Sequence, residues 1–181
     1  MMHDVVVPYF KRYYVTNEYG LSMECEAPKC SAPNLGHVMY EYCNFIHTDM
    51  EDIKKGRVTP NWIDNLQENE VFVFGSNLAG MHGGGAARVA HRRFGAIMGK
   101  GVGMQGRSYA IPTMQGGTET IRPYVDDFIA YAKEHPELTF LVTPIGCGIA
   151  GFEPEDIAPL FKEACNVSNI WLPESFWKEL D

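Results

Sequence analysis

A chain of 181 residues that is 45% apolar can bury one full core, yet its apolar runs, such as the strand-sized ones at 5–7 and 71–74, stay far short of the roughly 18 residues a membrane helix needs. Fifteen basic against 23 acidic residues leave a formal net charge of -8, which removes any general drive toward nucleic acid or an anionic membrane while leaving room for a local basic spot that binds one anion. Five cysteines, an odd number in a chain with a sizeable core, read as reduced thiols, and the opening Met1, Met2, His3 and Asp4 lack the basic flank and apolar core of a signal peptide, so a cytoplasmic location is expected.

Residues 1–56 have their own texture and are expected to form an N-terminal extension, with short strands at 5–7 and 13–16 and turn residues from 26 to 36. Cys25, Cys30, Cys43 and His47 form two pairs of soft ligands that would suit structural zinc. The first spacing is loose and His37 competes, so buried thiols are the expected reading and no metal is assigned.

The main domain is expected over 57–181. Thr59 before Pro60 reads as a helix start, running through Trp62, Ile63 and Leu66. A buried strand at 70–74 stops at Gly75 and Ser76, and a helix fits 84–94. Two more buried strands, 108–111 and 139–143, are closed by Pro112 and Pro144. Between them Ile121, Tyr124, Val125, Phe128, Ile129 and Ala132 recur at helical spacing after a cap at Thr118 or Thr120. A helix opening at Pro154 buries Ile157, Leu160, Phe161 and Ala164, and a strand at 169–172 and a helix at 174–180 complete an α/β layered pattern.

Glycine is concentrated where chemistry is expected. Of 18 glycines, 12 fall between Gly75 and Gly117, among apolar residues unlike those of a linker. One loop carries Gly75, Ser76, Asn77 and Leu78, then Gly83, Gly84 and Gly85 just before a helix, where free backbone amides and the helix terminus favour a phosphate. A second, Ile145, Gly146, Cys147, Gly148, Ile149, Ala150, Gly151 and Phe152, again leads from a strand to a helix. Two such strand ends can flank one crevice at the carboxyl edge of a sheet. The mononucleotide and dinucleotide fingerprints are both absent, which argues against ATP hydrolysis and a standard Rossmann cofactor site.

From about residue 70 to 181 the two loops together resemble those of the macro domains that bind ADP-ribose, in a divergent form of bacterial or phage type. Asn77, Leu78 and Gly83 to Gly85 are similar to that family's first ligand loop, and Gly146 to Phe152 to its second. The resemblance implies a three-layer α/β/α fold with a mixed sheet, no resident cofactor, a diphosphate wrapped by the amides of the second loop, Asn77 beside the distal ribose and Phe152 packed near that sugar. It departs at Arg57, where many members carry an adenine-binding Asp. It departs again at Ala86, Ala87, Arg92, Arg93 and Ala150, where the hydrolytic branches carry acids.

Candidate chemistry therefore rests on His82 and Asn77: His82 is read either as a general base or ribose-hydroxyl ligand or, equally, as a His that only bonds the loop backbone, while Asn77, Gln105 and Ser108 can position water or ribose but do not serve easily as bases. Cys147 sits where a helix start can favour a thiolate, but it has no partner in the sequence and a nucleophilic role is not expected; Arg88, Arg92 and Arg93 at helical spacing read as a solvated helix face from which one member could reach a ligand phosphate. The expected function is binding of ADP-ribose or a related nucleotide diphosphate, with hydrolysis of an ADP-ribosyl or related phosphoester bond as a possible activity. The alternatives are a module that reads ADP-ribose without turnover and an NAD-binding oxidoreductase. The partner expected is ADP-ribose or an ADP-ribosylated substrate, with no membrane, and nucleic acid only as a modified substrate.

Overall fold

A computed structural model describes residues 12–16, 22–26 and 56–180. The chain divides into two compact units, Met1–Ile53 and Lys54–Asp181. In the first, β1 (Arg12–Thr16) and β2 (Ser22–Glu26) pair antiparallel with Tyr14 opposite Glu24. The strand expected at 5–7 and the candidate ligands Cys30, Cys43 and His47 lie outside the described residues.

The second unit holds a six-stranded mixed sheet in the order β3 (Val58–Thr59), β8 (Ile170–Pro173), β7 (Thr139–Val142), β4 (Glu70–Ser76), β6 (Ser108–Pro112), β5 (Gly103–Gln105). Every pairing is parallel except β5 with β6. The central strand is buried on both faces, because Val71 and Val73 point into one apolar cluster and Phe72 and Phe74 into another. On the Phe side lies α1 (Gly85–Arg93), whose buried Ala87 and Ala90 pack with Ala110 of β6. On the Val side lie α2 (Thr118–Glu134), α3 (Pro154–Ile157), a 3-10 helix (Ala158–Asn166) and α4 (Glu174–Glu179). The spacing of Ile121, Val125, Phe128 and Ile129 puts all four on the buried stripe of α2.

The helix expected after Thr59 does not form. The Thr59 hydroxyl donates to the Trp171 carbonyl at 2.9 Å, so it ties β3 to β8 and cannot cap a helix. Residues 60–69 run irregularly, with half-buried Ile63 and Leu66 packed on the Phe-side cluster. The segment after Pro154 begins as expected, but only one turn is α-helical before the chain tightens to 3-10. Ile157, Leu160, Phe161 and Ala164 are nonetheless all buried.

Arg57 is a structural residue. Its guanidinium donates to the carbonyls of Val167 at 2.7 Å, Ile170 at 3.2 Å and Cys165 at 2.8 Å, and lies 5.2 Å from the Trp177 ring centre. It pins β3 to the carbonyls of the segment that leads into β8 and of that strand's first residue. Among the described residues no helix is long and apolar enough to cross a membrane.

Candidate functional site

The connection from β4 leaves through α1 toward β6, whereas the one from β7 leaves through the 3-10 helix toward β8 on the other side. Adjacent strands whose connections part in opposite directions open a crevice beyond their carboxyl ends. Three strand ends meet there. A side-chain carbon on Gly75 would lie 3.3 Å from Thr113 Oγ1 and 3.4 Å from the Gly146 amide nitrogen, so no larger residue fits at that junction without a shift.

The crevice encloses about 280 Å³. One wall is Gly84, Gly85, Ala86 and Ala87, the first turn of α1, and the other is Ile145, Gly146, Gly148, Ile149 and Ala150. Gly75, Ser76, Asn77 and Thr113 form its floor and near side. The helix has no side-chain cap and no acid in its first turn, and its first internal bond runs from the Arg88 amide to the Gly84 carbonyl. The amides of Gly85, Ala86 and Ala87 precede that bond and are open to a ligand. The amides of Gly148, Ile149 and Ala150 likewise meet no acceptor among the described residues. Two sets of unbonded amides on residues that line one crevice, one of them at a helix N-terminus, are groups suited to an anion.

Asn77 borders the crevice with both ends of its side-chain amide engaged. It donates to the Met81 carbonyl and accepts from the Met81 amide, each at 3.0 Å, which folds the first loop into a closed turn. That turn rests on the segment before β5, where a side chain on Gly101 would come within 2.1 Å of the Asn77 carbonyl. Part of the glycine crowding is thus explained by backbone packed on backbone.

His82 does not line the crevice. Its ring is 2% exposed, set edge-on against Phe74 at 5.2 Å, with Nε2 3.1 Å from the Lys100 carbonyl and Nδ1 buried without a partner. A ring so enclosed braces the first loop and has no path to a ligand's hydroxyl. Gln105 and Ser108 are buried too. Gln105 accepts from the Ile97 amide and donates to the Lys100 carbonyl, and Ser108 donates to the Gln105 carbonyl.

Of the second loop, Phe152 turns inward onto the core and closes the loop through its amide to the Gly146 carbonyl at 3.1 Å. It does not line the crevice. The Cys147 thiol is half-buried, and burial first, then Glu153 and Asp156, pushes its pKa up to about 11, the reverse of the thiolate setting read from the sequence. Gly83 and Gly151 stand clear of the crevice, whereas Gly75, Ser76, Asn77, Gly84, Gly85, Ile145, Gly146, Gly148, Ile149 and Ala150 come together in it. Sequence reasoning missed Met81, Thr113, Met114, Thr143 and Pro144 as lining residues. The signal for Thr113 and Thr143 was available, since each directly follows a buried strand that ends on the same edge as β4. No family model, curated protein or solved structure matches the chain.

Proposed function

We propose that Lys54–Asp181 binds ADP-ribose or a closely related nucleotide diphosphate, its phosphates between the first turn of α1 and the second glycine loop. The observation that carries this reading is the pair of unbonded amide sets, Gly85 to Ala87 and Gly148 to Ala150, on residues that line one crevice with no acidic side chain in its lining. A hydrogen bond to a charged acceptor contributes about 1.5–3 kcal/mol. Several together offset the roughly 4–15 kcal/mol that association costs, which points to affinity in the micromolar range. The resemblance of the two loops to those of macro domains supports the same ligand.

Binding without turnover is the form of this reading that the site favours. Among the described residues that line the crevice there is no Asp, Glu, His, Cys, Lys, Arg or Tyr, so no side chain there can take or give a proton near neutral pH. Calorimetry with ADP-ribose, ADP, AMP and NAD tests the ligand. ADP-ribose is expected to bind most tightly, and no heat from it at millimolar concentration overturns the proposal. Release of ADP-ribose from a modified protein or nucleic acid would instead return hydrolysis to the site.

A further inference from the structure

The net charge of -8 conceals a segregation. From Val71 to Thr118 the chain has no Asp or Glu, while Arg88, Arg92, Arg93, Lys100 and Arg107 all fall within it, so every one of the 23 acids lies elsewhere. That span builds α1, β5, β6 and all of β4 after its first residue, Glu70, so it covers one half of the sheet and the helix over it. Three of its cations are engaged: Arg93 with Asp64 at 2.7 Å, Lys100 with the Met104 carbonyl at 2.9 Å, and Arg107 with the Gln67 carbonyl. Arg88 and Arg92, one turn apart on the exposed side of α1, have no acceptor among the described residues.

These two arginines line a second cleft, of about 570 Å³, together with Trp62. The Trp62 ring is 82% exposed and has no ring or cation against it among the described residues. The one acid lining this cleft, Asp64, is the partner of Arg93. Gly85, Ala86, Thr143 and Pro144 border both this cleft and the ligand crevice, so the two adjoin.

We infer that this cleft docks a single strand of nucleic acid, with a base stacked on Trp62 and phosphates on Arg88 and Arg92. An open indole and a pair of unengaged guanidinium groups lining one cleft are the combination that holds bases and backbone phosphates at once, since every nucleotide brings both a base and a phosphate, whereas an acidic peptide brings carboxylates for the arginines and offers the indole a ring only where an aromatic residue happens to fall. The acids elsewhere repel a polyanion and confine it to this face. The inference rests on the crevice reading for what the strand presents: a nucleotide diphosphate attached to it, reaching the crevice across Gly85 and Pro144.

The test is fluorescence anisotropy of labelled single-stranded DNA and RNA oligonucleotides with the full chain, from low to physiological salt, alongside ADP-ribose calorimetry. Binding that weakens steeply with salt is expected. Arg88→Ala with Arg92→Ala should cut it by more than about tenfold and flatten the salt slope by about 1.4, the loss of two phosphate contacts. Trp62→Ala should weaken it about tenfold at unchanged slope. These variants should keep their melting temperature and their ADP-ribose affinity. ADP-ribose heat with no oligonucleotide binding at low salt sinks this inference and leaves the crevice reading standing, while oligonucleotide binding without ADP-ribose heat does the opposite. Displacement of the oligonucleotide by free ADP-ribose, or equal competition by a polyglutamate of the same charge with no effect of Trp62→Ala, also overturns it.

Discussion

His82 shows how burial changes what a titratable residue can do. The Lys100 carbonyl can only accept, so Nε2 carries the proton and Nδ1 is left as a buried acceptor without a donor. The ring fills space between Phe74 and the turn that ends at Lys100, and its removal leaves a cavity beneath the first loop. His82→Ala is expected to cost about 2–4 kcal/mol of stability, read as a fall in the denaturant midpoint. An unchanged midpoint would mean that the ring is not the brace it is taken for.

Two other residues set the response to alkali. Tyr109, buried in β6, has its pKa raised to about 12 by burial first, then by Asp127 and Tyr131, and Cys147 is raised to about 11. Both groups are neutral when protonated, and the folded state holds those protons more tightly than the unfolded one. Between the ordinary and the raised values the unfolded chain has already lost protons that the folded chain keeps, so stability falls as pH rises. The denaturant midpoint is expected to drop from about pH 9 upward, and Cys147→Ser should remove the earlier part of that drop.

At the scale of an element, the second glycine loop separates residues that the fold requires from those a ligand requires. Gly146 has φ +76°, and a side-chain carbon there would lie 3.0 Å from Ile157 Cδ1, so its replacement strains the loop whatever occupies the crevice. Gly148 has no such φ, and a side chain on it would meet only open space. Gly148→Val is therefore expected to melt like the parent protein while losing ADP-ribose binding, because its methyl groups enter the space beside the free amides. Gly146→Val should lose stability first. Retained affinity in Gly148→Val would show that the ligand does not touch this wall.

The sequence was a good guide to these elements where local pattern decides the outcome. The apolar runs that became β4, β6 and β7, the helical stripe of α2 and the two glycine loops all follow from spacing within about a dozen residues. It was a poor guide where a distant partner decides. Nothing near Thr59 shows that the Trp171 carbonyl will take its hydroxyl, and nothing near Arg57 shows the three carbonyls, more than 100 positions away, that hold its guanidinium. The short edge strand β5, Gly103–Gln105, has too few residues to display an alternation. In the crevice the glycines were legible as a group. Which of them serve backbone packing and which the open space depended on contacts such as that of Gly101 with the first loop.

For the whole molecule, the placing of Arg57 fixes where the second unit can be cut. Among the described residues the two apolar clusters draw on positions from Val58 onward, and the outer edge of the sheet is the two-residue strand β3. A strand so short is held less by its ladder than by Arg57, whose backbone carbonyl also accepts from the Trp177 ring nitrogen at 3.0 Å and from the Leu172 amide at 3.1 Å. A fragment of 54–181 keeps all of these and is expected to unfold in one cooperative transition. A fragment of 60–181 lacks β3 and Arg57. It leaves the carbonyls of Cys165, Val167 and Ile170 without their cation and Trp177 without its acceptor, and each buried polar group so stranded costs about 1–3 kcal/mol. Losses of that size approach the 5–15 kcal/mol that separates folded from unfolded for a typical domain. The shorter fragment should lose its sharp thermal transition, or melt far below the longer one, though it retains every residue of the crevice. Equal melting of the two would show that the edge pinned by Arg57 is dispensable.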